Sequence, residues 1–399
     1  MLAKSLQFAA LWAAVVAVSQ TALGQYGPPQ GPQGYGPPGA FQGAPVGYGQ
    51  PGPMPPGQPM GPMDQPPMEM PMDGSMGGMG GGMDMGGAAC YSGDSYQGWA
   101  HRCNVFGEFL YLRARNAEIA YAVEIDGPIA AGAPGVQAGR VGVVDPDFSA
   151  GFRFGGGVTI DETSALQLTY SEFDETTANA MTADAPNVIR SLVLQPSTVN
   201  AAANFLDASA VNTLQFKLVD ADYRGLLAYN NDYKVSYLIG ARYAKLDQDF
   251  EANFSLPAVE TVTSSVNFDG GGLRFGLEAE RYGRNNQLFV YGKTYASLIG
   301  GEFRASYLQG TQADPDIAFT TFRAGRLVSI YDLEVGGGWS NYCGNFRVSA
   351  GYMFSVWCNT VKNNELINAV QNNNFVDQSD NFRGMLSFDG FVARGEFFW

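Results

Sequence analysis

Residues 386–399 read "LSFDGFVARGEFFW". Taken in steps of two, Phe391, Ala393, Gly395, Phe397 and Trp399 share one face, and Val392, Arg394, Glu396 and Phe398 share the other. Alternation of this kind describes a β-strand held between two unlike surroundings. An aromatic ladder opposes a charged pair. Either the ladder packs on a protein core and the charges meet water, or the ladder meets lipid and the charges face a lumen.

The start of the chain bears on that choice. Lys4 precedes an apolar run, "FAALWAAVVAV" over Phe8–Val18, and Ala22 and Gly24 supply small residues ahead of Gln25. This is the pattern of a secretory signal peptide over residues 1–24, and the run is too short for a membrane anchor. Beyond it, no stretch approaches the ~18–20 apolar residues of a transmembrane helix. The mean hydropathy of -0.10 is compatible with a transmembrane barrel, whose ~10-residue alternating strands barely register as hydrophobic.

Residues 25–102 form a separate region. Fifteen of the 22 prolines and ten of the 14 methionines fall between residues 25 and 89, in stretches such as "PGPMPPGQPMGPMDQPPMEMPMDGSMGGMGGGMDMGG". Pro and Gly at this density favour an extended, disordered linker. Its Met pairs could attract a soft cation such as Cu(I), although low complexity alone explains them and no cofactor is expected.

From residue 103 to 399 the texture is uniform. Alternating segments are joined by connections that are in turn short ("DETS", "NND", "GRNNQ", "CGN") and longer, around 125–146, 175–211, "SLPAVET", "GTQADPD" and 359–381. This is the loop pattern of an outer-membrane barrel, with tight turns on the periplasmic side and longer loops outside. The expectation is an all-β, antiparallel up-and-down transmembrane barrel of about ten strands (range eight to twelve). The strands fall near 103–123, 147–160, 164–175, 212–229, 232–250, 264–282, 287–306, 318–341, 346–358 and 384–399. An even number places both ends of the barrel on one side, with the linker in the periplasm and possible contact with the cell wall. Aromatics near strand ends (Tyr229, Tyr233, Tyr282, Trp339, Tyr342, Trp399) read as interfacial girdles.

Parity within each strand assigns the lumen. Arg153 lies inward on the second strand; Asp220, Asp222 and Arg224 on the fourth; Lys234 and Arg242 on the fifth. Arg274, Glu278 and Glu280 follow on the sixth, Lys293 on the seventh, Asp332 and Glu334 on the eighth, Arg347 on the ninth, and Arg394 and Glu396 on the last. The first strand, "VFGEFLYLRAR", is ambiguous: Glu108 suggests that Phe109 and Tyr111 point outward, while Leu110 and Leu112 fit as well. The inward set is close to electrical balance, so its charges should pair across a narrow bore. The net charge of -15 and pI near 4.5 must then reside mainly in loops and linker. A low-conductance or gated path follows, with any cation bias coming from its acidic mouths.

Other classes fit less well. An acidic chain does not suit nucleic acid. Lipolytic or proteolytic barrels need a histidine as base, and the sole histidine, His101, precedes the first strand. The Gly clusters "GFRFGGG" and "NFDGGGLRFG" lie within strands and suggest close packing or curvature, not a phosphate loop. An enzyme is therefore not expected. Four cysteines in an exported chain can form disulfides, and their spacing does not suit structural zinc. Cys343 and Cys358 stand at opposite ends of one strand, roughly 50 Å apart at ~3.3 Å per residue, against a ~7 Å limit for bridged Cα atoms. Cys90 with Cys103 is the expected bridge, and Cys103 with Cys343 the alternative.

The ending, with Phe391, Phe397 and Trp399 on alternate positions of a final strand, resembles the terminal signature of bacterial outer-membrane barrels. Together with "GEFLYLRARN" near residue 107, it resembles the pore-forming proteins of the Legionella major outer-membrane protein type, including planctomycete members with Pro/Gly-rich N-termini. The resemblance covers about residues 103–399. It implies outer-membrane lipid, the barrel assembly machinery that reads the last strand, and small solutes or ions as partners. A non-conducting structural or adhesive barrel displaying acidic loops, and linking the membrane to the cell wall, is the competing expectation.

Overall fold

The structure, a computed structural model, describes residues 103–399 apart from 129–134, 231, 257, 286 and 373–381. The signal-peptide and linker assignments, and with them Cys90 and His101, lie outside the described residues.

Ten strands close into an antiparallel barrel. In chain order they are β1 (Cys103–Arg115), β4 (Phe148–Asp161), β5 (Ser164–Thr182), β7 (Asp207–Asn230), β8 (Tyr233–Leu256), β9 (Ala258–Tyr282), β10 (Leu288–Thr311), β11 (Ala318–Ser340), β12 (Phe346–Thr360) and β13 (Gly384–Phe398). The seam runs between β1 and β13, from Asn104 opposite Phe398 to Arg115 opposite Ser387. Backbone bonds between Cys103 and Trp399 (3.0 and 3.1 Å) extend it by one step. The start of β1 and the end of β13 thus share one end of the barrel, the terminal end, with the four tight turns.

Three further strands leave the wall: β2 (Ile119–Ile125), β3 (Gln137–Val144) and β6 (Val188–Ser191) pair in the order β3-β2-β6. The sequence reading made 103–123 one strand and 125–146 and 175–211 loops. The chain instead turns at Asn116, whose φ of 60° takes it out of the sheet. Because β2 continues the alternation of β1, periodicity cannot mark that break. The "SLPAVET" loop is also shorter than expected, since β8 runs to Leu256 and β9 begins at Ala258. A helix, α1 (Asn363–Gln371), lies in the β12–β13 connection.

The barrel has two storeys, and β7 displays both. Near the terminal end its inward residues are Asp220 and Asp222 and its outward ones Val219 and Tyr223. Beyond that level the inward residues are Leu218, Phe216 and Leu214, and the outward ones Lys217, Gln215 and Thr213. Parity never changes, but the apolar face does. The same inversion occurs on β8, where exposed Ile239 and Tyr243 give way to Lys245, Asp247 and Asp249 outside, with Leu246, Phe250 and Phe254 buried inside. Strands of 23 to 25 residues make room for this. At ~3.3 Å per residue and a tilt of ~40° they rise roughly 60 Å, about twice the ~25 Å apolar band of such barrels.

The glycines 270–272 of β9 sit where the storeys meet. A Cβ on Gly272 would collide with the Leu298 carbonyl oxygen, so a close approach of β9 and β10 favours glycine there. The outer aromatics are mostly where a girdle requires them, with Tyr229, Trp339, Tyr342 and Trp399 exposed. Tyr282 is the exception: it faces inward against Phe289 and Tyr291.

Candidate functional site: the lumen

The interior of the lower storey is lined by groups of ion pairs. Arg242 binds Asp220 through Nε and a terminal nitrogen at 2.6 and 2.9 Å, and reaches Asp332 at 2.7 Å. Arg274 joins Asp220 at 3.1 Å and also pairs with Asp222. Arg224 pairs with Glu278, which accepts a hydrogen bond from Tyr295 at 2.5 Å. Arg347 pairs with Glu280 at 3.1 Å and Lys293 with Glu334 at 2.7 Å. Arg394 lies between Glu108 (3.0 Å) and Glu396 (2.9 Å). Arg153 of β4 contacts Glu108 at 2.6 Å and, across the bore, Glu334 of β11 at 3.5 Å.

Aromatic faces back several of the cations. Arg394 lies over Phe106 at 3.8 Å, Arg274 over Tyr295 at 4.0 Å and Arg347 over Phe289 at 4.2 Å. Such stacking retains the charge while covering the guanidinium. Glu108 is the group that the sequence reading left out of the lumen, although it lies among these ion pairs. The parity of Phe109 and Tyr111, both exposed, could have placed it there, with Leu110 and Leu112 buried inside.

Above these ion pairs the bore is closed by side chains of the wall. Phe173 of β5, Phe216 of β7, Trp357 of β12 and Phe388 of β13 form one aromatic cluster. The closest pair, Phe216 and Phe388, lies 4.8 Å apart edge to face, and Trp357 meets Phe388 at 6.2 Å. These rings come from separate sectors of the wall, so the cluster spans the lumen.

Farther out, segments that are not part of the wall fill the upper interior. Helix α1 packs against β8, β9 and β10, burying Leu366, Ile367, Ala369 and Val370. Polar contacts pin its approach: Gln248 donates to the Val361 carbonyl at 2.9 Å and Ser264 bonds Asn363 at 3.1 Å. The segment after β6 lies over β10, where Tyr307 donates to the Val193 carbonyl at 2.9 Å and the Gln195 N–H donates to Gln309 at 2.8 Å. The sheet of β2, β3 and β6 adds buried Tyr121, whose hydroxyl donates to Asn179 at 2.9 Å.

At the terminal end lies a cavity of about 60 Å³ that includes Cys103, Lys234, Tyr291 and Arg347 in its lining. Cys103 and Cys358 are free thiols. The alternative Cys103–Cys343 bridge is therefore not formed, and the expected Cys90–Cys103 bridge involves Cys90, which lies outside the described residues. Cys343, in the β11–β12 turn, is disulfide-bonded, and with Cys358 free the two are not joined. The spacing of cysteines along the chain did not reveal this, because Cys103 and Cys343 both lie near the terminal rim and only the closed fold sets their separation.

The assembly residues Phe391, Phe397 and Trp399 are all exposed on the outer wall, with the last two rings stacked at 6.0 Å.

A family model described as "Legionella pneumophila major outer membrane protein precursor" matches residues 99–397. Among solved structures, the chain is similar to the outer membrane protease OmpT of Escherichia coli, at 13% identity, covering 75% of this chain and 97% of that one, with a TM-score of 0.42. It is also similar to the Pseudomonas putida toluene transporter TodX (8% identity, 79% and 95% covered, TM-score 0.28). A third is CarO of Acinetobacter baumannii (12% identity, 73% and 97% covered, TM-score 0.23). No curated protein matches the chain.

Proposed function

Because the chain belongs to the family of the Legionella pneumophila major outer membrane protein, and so is an outer-membrane β-barrel, we propose that it is a gated pore for small solutes or ions, at rest in the closed state. The terminal end faces the periplasm in this reading, as does the linker, and the upper storey stands outside the cell. Lipid and the barrel assembly machinery are its partners, and it carries out no chemical reaction.

The observation that carries this reading is the nature of the closure. The lower lumen is lined with charge, which suits a water-filled path, since ionisable groups at membrane depth mark ion and solute routes. The upper interior is apolar and is filled partly by α1 and the inner sheet, segments that could leave without opening the wall. An apolar constriction above a polar vestibule gates by excluding water. The aromatic cluster belongs to the wall, so opening requires α1 to move and the rings to rotate away.

The test replaces residues 361–383 with a short Gly/Ser connector and measures conductance in planar bilayers. The expected result is rare, small openings in the full chain and frequent, larger ones in the variant, with heat-modifiable migration on gels as the check on folding. A folded variant that stays silent would favour the second reading, a non-conducting structural barrel. The complete apolar seal is the feature that favours that alternative.

A further inference from the structure

The lumen as a whole is nearly balanced in charge, but the terminal-end cavity is not. Five cationic side chains line it: Arg224, Lys234, Lys293, Arg347 and Arg394. Only two carboxylates do, Glu280 and Glu396, which leaves a formal excess of three positive charges on the lining. Three carboxylates that neutralise this group elsewhere, Glu278, Glu334 and Glu108, bind Arg224, Lys293 and Arg394 but are absent from the lining. Part of the counter-charge of Arg224, Lys293 and Arg394 thus comes from carboxylates outside the lining.

Donors are also in surplus. A guanidinium carries five N–H groups and an ammonium three, while a carboxylate can engage only a few at once. Asn104 adds a side-chain amide beside Glu396, to which it donates at 2.9 Å. Cationic groups fixed by ion pairs and aromatic backing lose little entropy on meeting an anion, which favours binding. The cavity's volume of about 60 Å³ is several times the ~10–15 Å³ that a single water requires, room for a few waters. That is the bulk of a tetrahedral oxyanion.

We propose that the terminal-end cavity is a binding site for a small oxyanion of the size and charge of inorganic phosphate. The site does not depend on the far end opening, so it goes beyond the gated-pore reading and can fail or stand independently of it. In a conducting state it would concentrate anions at that mouth, opposite to the cation bias expected from the acidic loops.

Cys103, a free thiol in the same lining, supplies the readout. Purified full-length protein in detergent, carrying Cys358→Ser, is treated with an anionic sulfonatoethyl or a cationic trimethylammonioethyl methanethiosulfonate. Modification of the Cys103 peptide is followed by mass spectrometry. The anionic reagent is expected to react about tenfold faster, the lower end of the enrichment that a charged cleft produces. Millimolar inorganic phosphate should slow it, while sodium chloride of equal ionic strength should not. Lys234→Gln should reduce the ratio of the two rates about threefold, with heat-modifiable migration retained. Should that variant fail to fold, raising salt on the parent protein must bring the ratio toward one, because screening shortens the reach of the field. Equal rates, a faster cationic reagent, or protection by phosphate no greater than that by chloride overturns the proposal. Because no conductance enters the measurement, this result does not depend on the pore reading.

Discussion

Arg242 shows how a single side chain organises the lower lumen. It is 4% exposed and holds Asp220 and Asp332, which come from strands on either side of the bore. Removing one partner of a buried pair strands the other charge, at a cost of ~3–5 kcal/mol. Arg242→Met should therefore lower the stability of the refolded barrel by about that amount, read as a lower urea midpoint. Exchanging Arg242, Asp220 and Asp332 together for apolar residues of similar volume should cost much less, because no charge is left unpaired. An equal loss in the single and triple variants would show that Arg242 acts by packing and not by pairing. Asp220, Asp222 and the arginines were legible as inward by parity. The pairing was legible only in part: Asp220 stands opposite Arg242 on the next strand, but Asp332 lies 90 residues away and meets Arg242 only after closure.

At the scale of elements, α1 and the seam carry separate expectations. Helix α1 stands in the upper storey, outside the lipid band, and burial raises the Glu365 carboxyl above its ordinary value, with Lys362 and Arg326 opposing the shift. Its oxygen accepts the Lys362 backbone N–H at 3.3 Å. A raised value in the docked state means that docking favours the protonated acid. That contribution is complete below the ordinary carboxylate range and fades as pH rises through the raised value. A spin label at Asn364→Cys should thus become more mobile as pH rises above the ordinary carboxylate range. Glu365→Gln, which keeps the acceptor but cannot titrate, should remove the dependence. A label whose pH response survives that substitution would locate the titrating group elsewhere.

The seam makes a different demand. Phe397 pairs with Val105 and with Phe346, and Trp399 exchanges backbone bonds with Cys103. Deleting residues 397–399 removes the last steps of closure and two stacked rings from the lipid face. The truncated chain should fail to accumulate as a heat-modifiable species in outer-membrane fractions, and normal levels there would show that these residues are dispensable.

For the whole molecule, the outer face changes from polar to apolar between Lys217 and Val219, which is the expected edge of the lipid. Gln215→Cys and Val219→Cys differ by four residues on one outer face, and only the second lies in the apolar band. A water-soluble maleimide should label the first rapidly in proteoliposomes and the second slowly, with the contrast lost in denaturant. Comparable rates at both positions would mean that the membrane covers the polar storey, or that the barrel sits differently from the reading given above.

The sequence by itself determined the barrel class, a count of about ten wall strands and the parity of the charged strands after the first, because side-chain direction in a strand has a fixed period of two. The aromatic girdle and the alternating connections added the membrane. It also contained the change of storey, since on β8 the apolar positions move from the odd to the even residues near Tyr243 and Ala244. That signal is visible only once parity is held fixed along a strand longer than a membrane requires. The tertiary structure alone decided that 117–125 leaves the wall, that α1 enters the bore, that Glu108 is a hub and that Cys103 is a free thiol in a basic cavity. These depend on which distant strands face one another after closure, and local alternation carries no record of that.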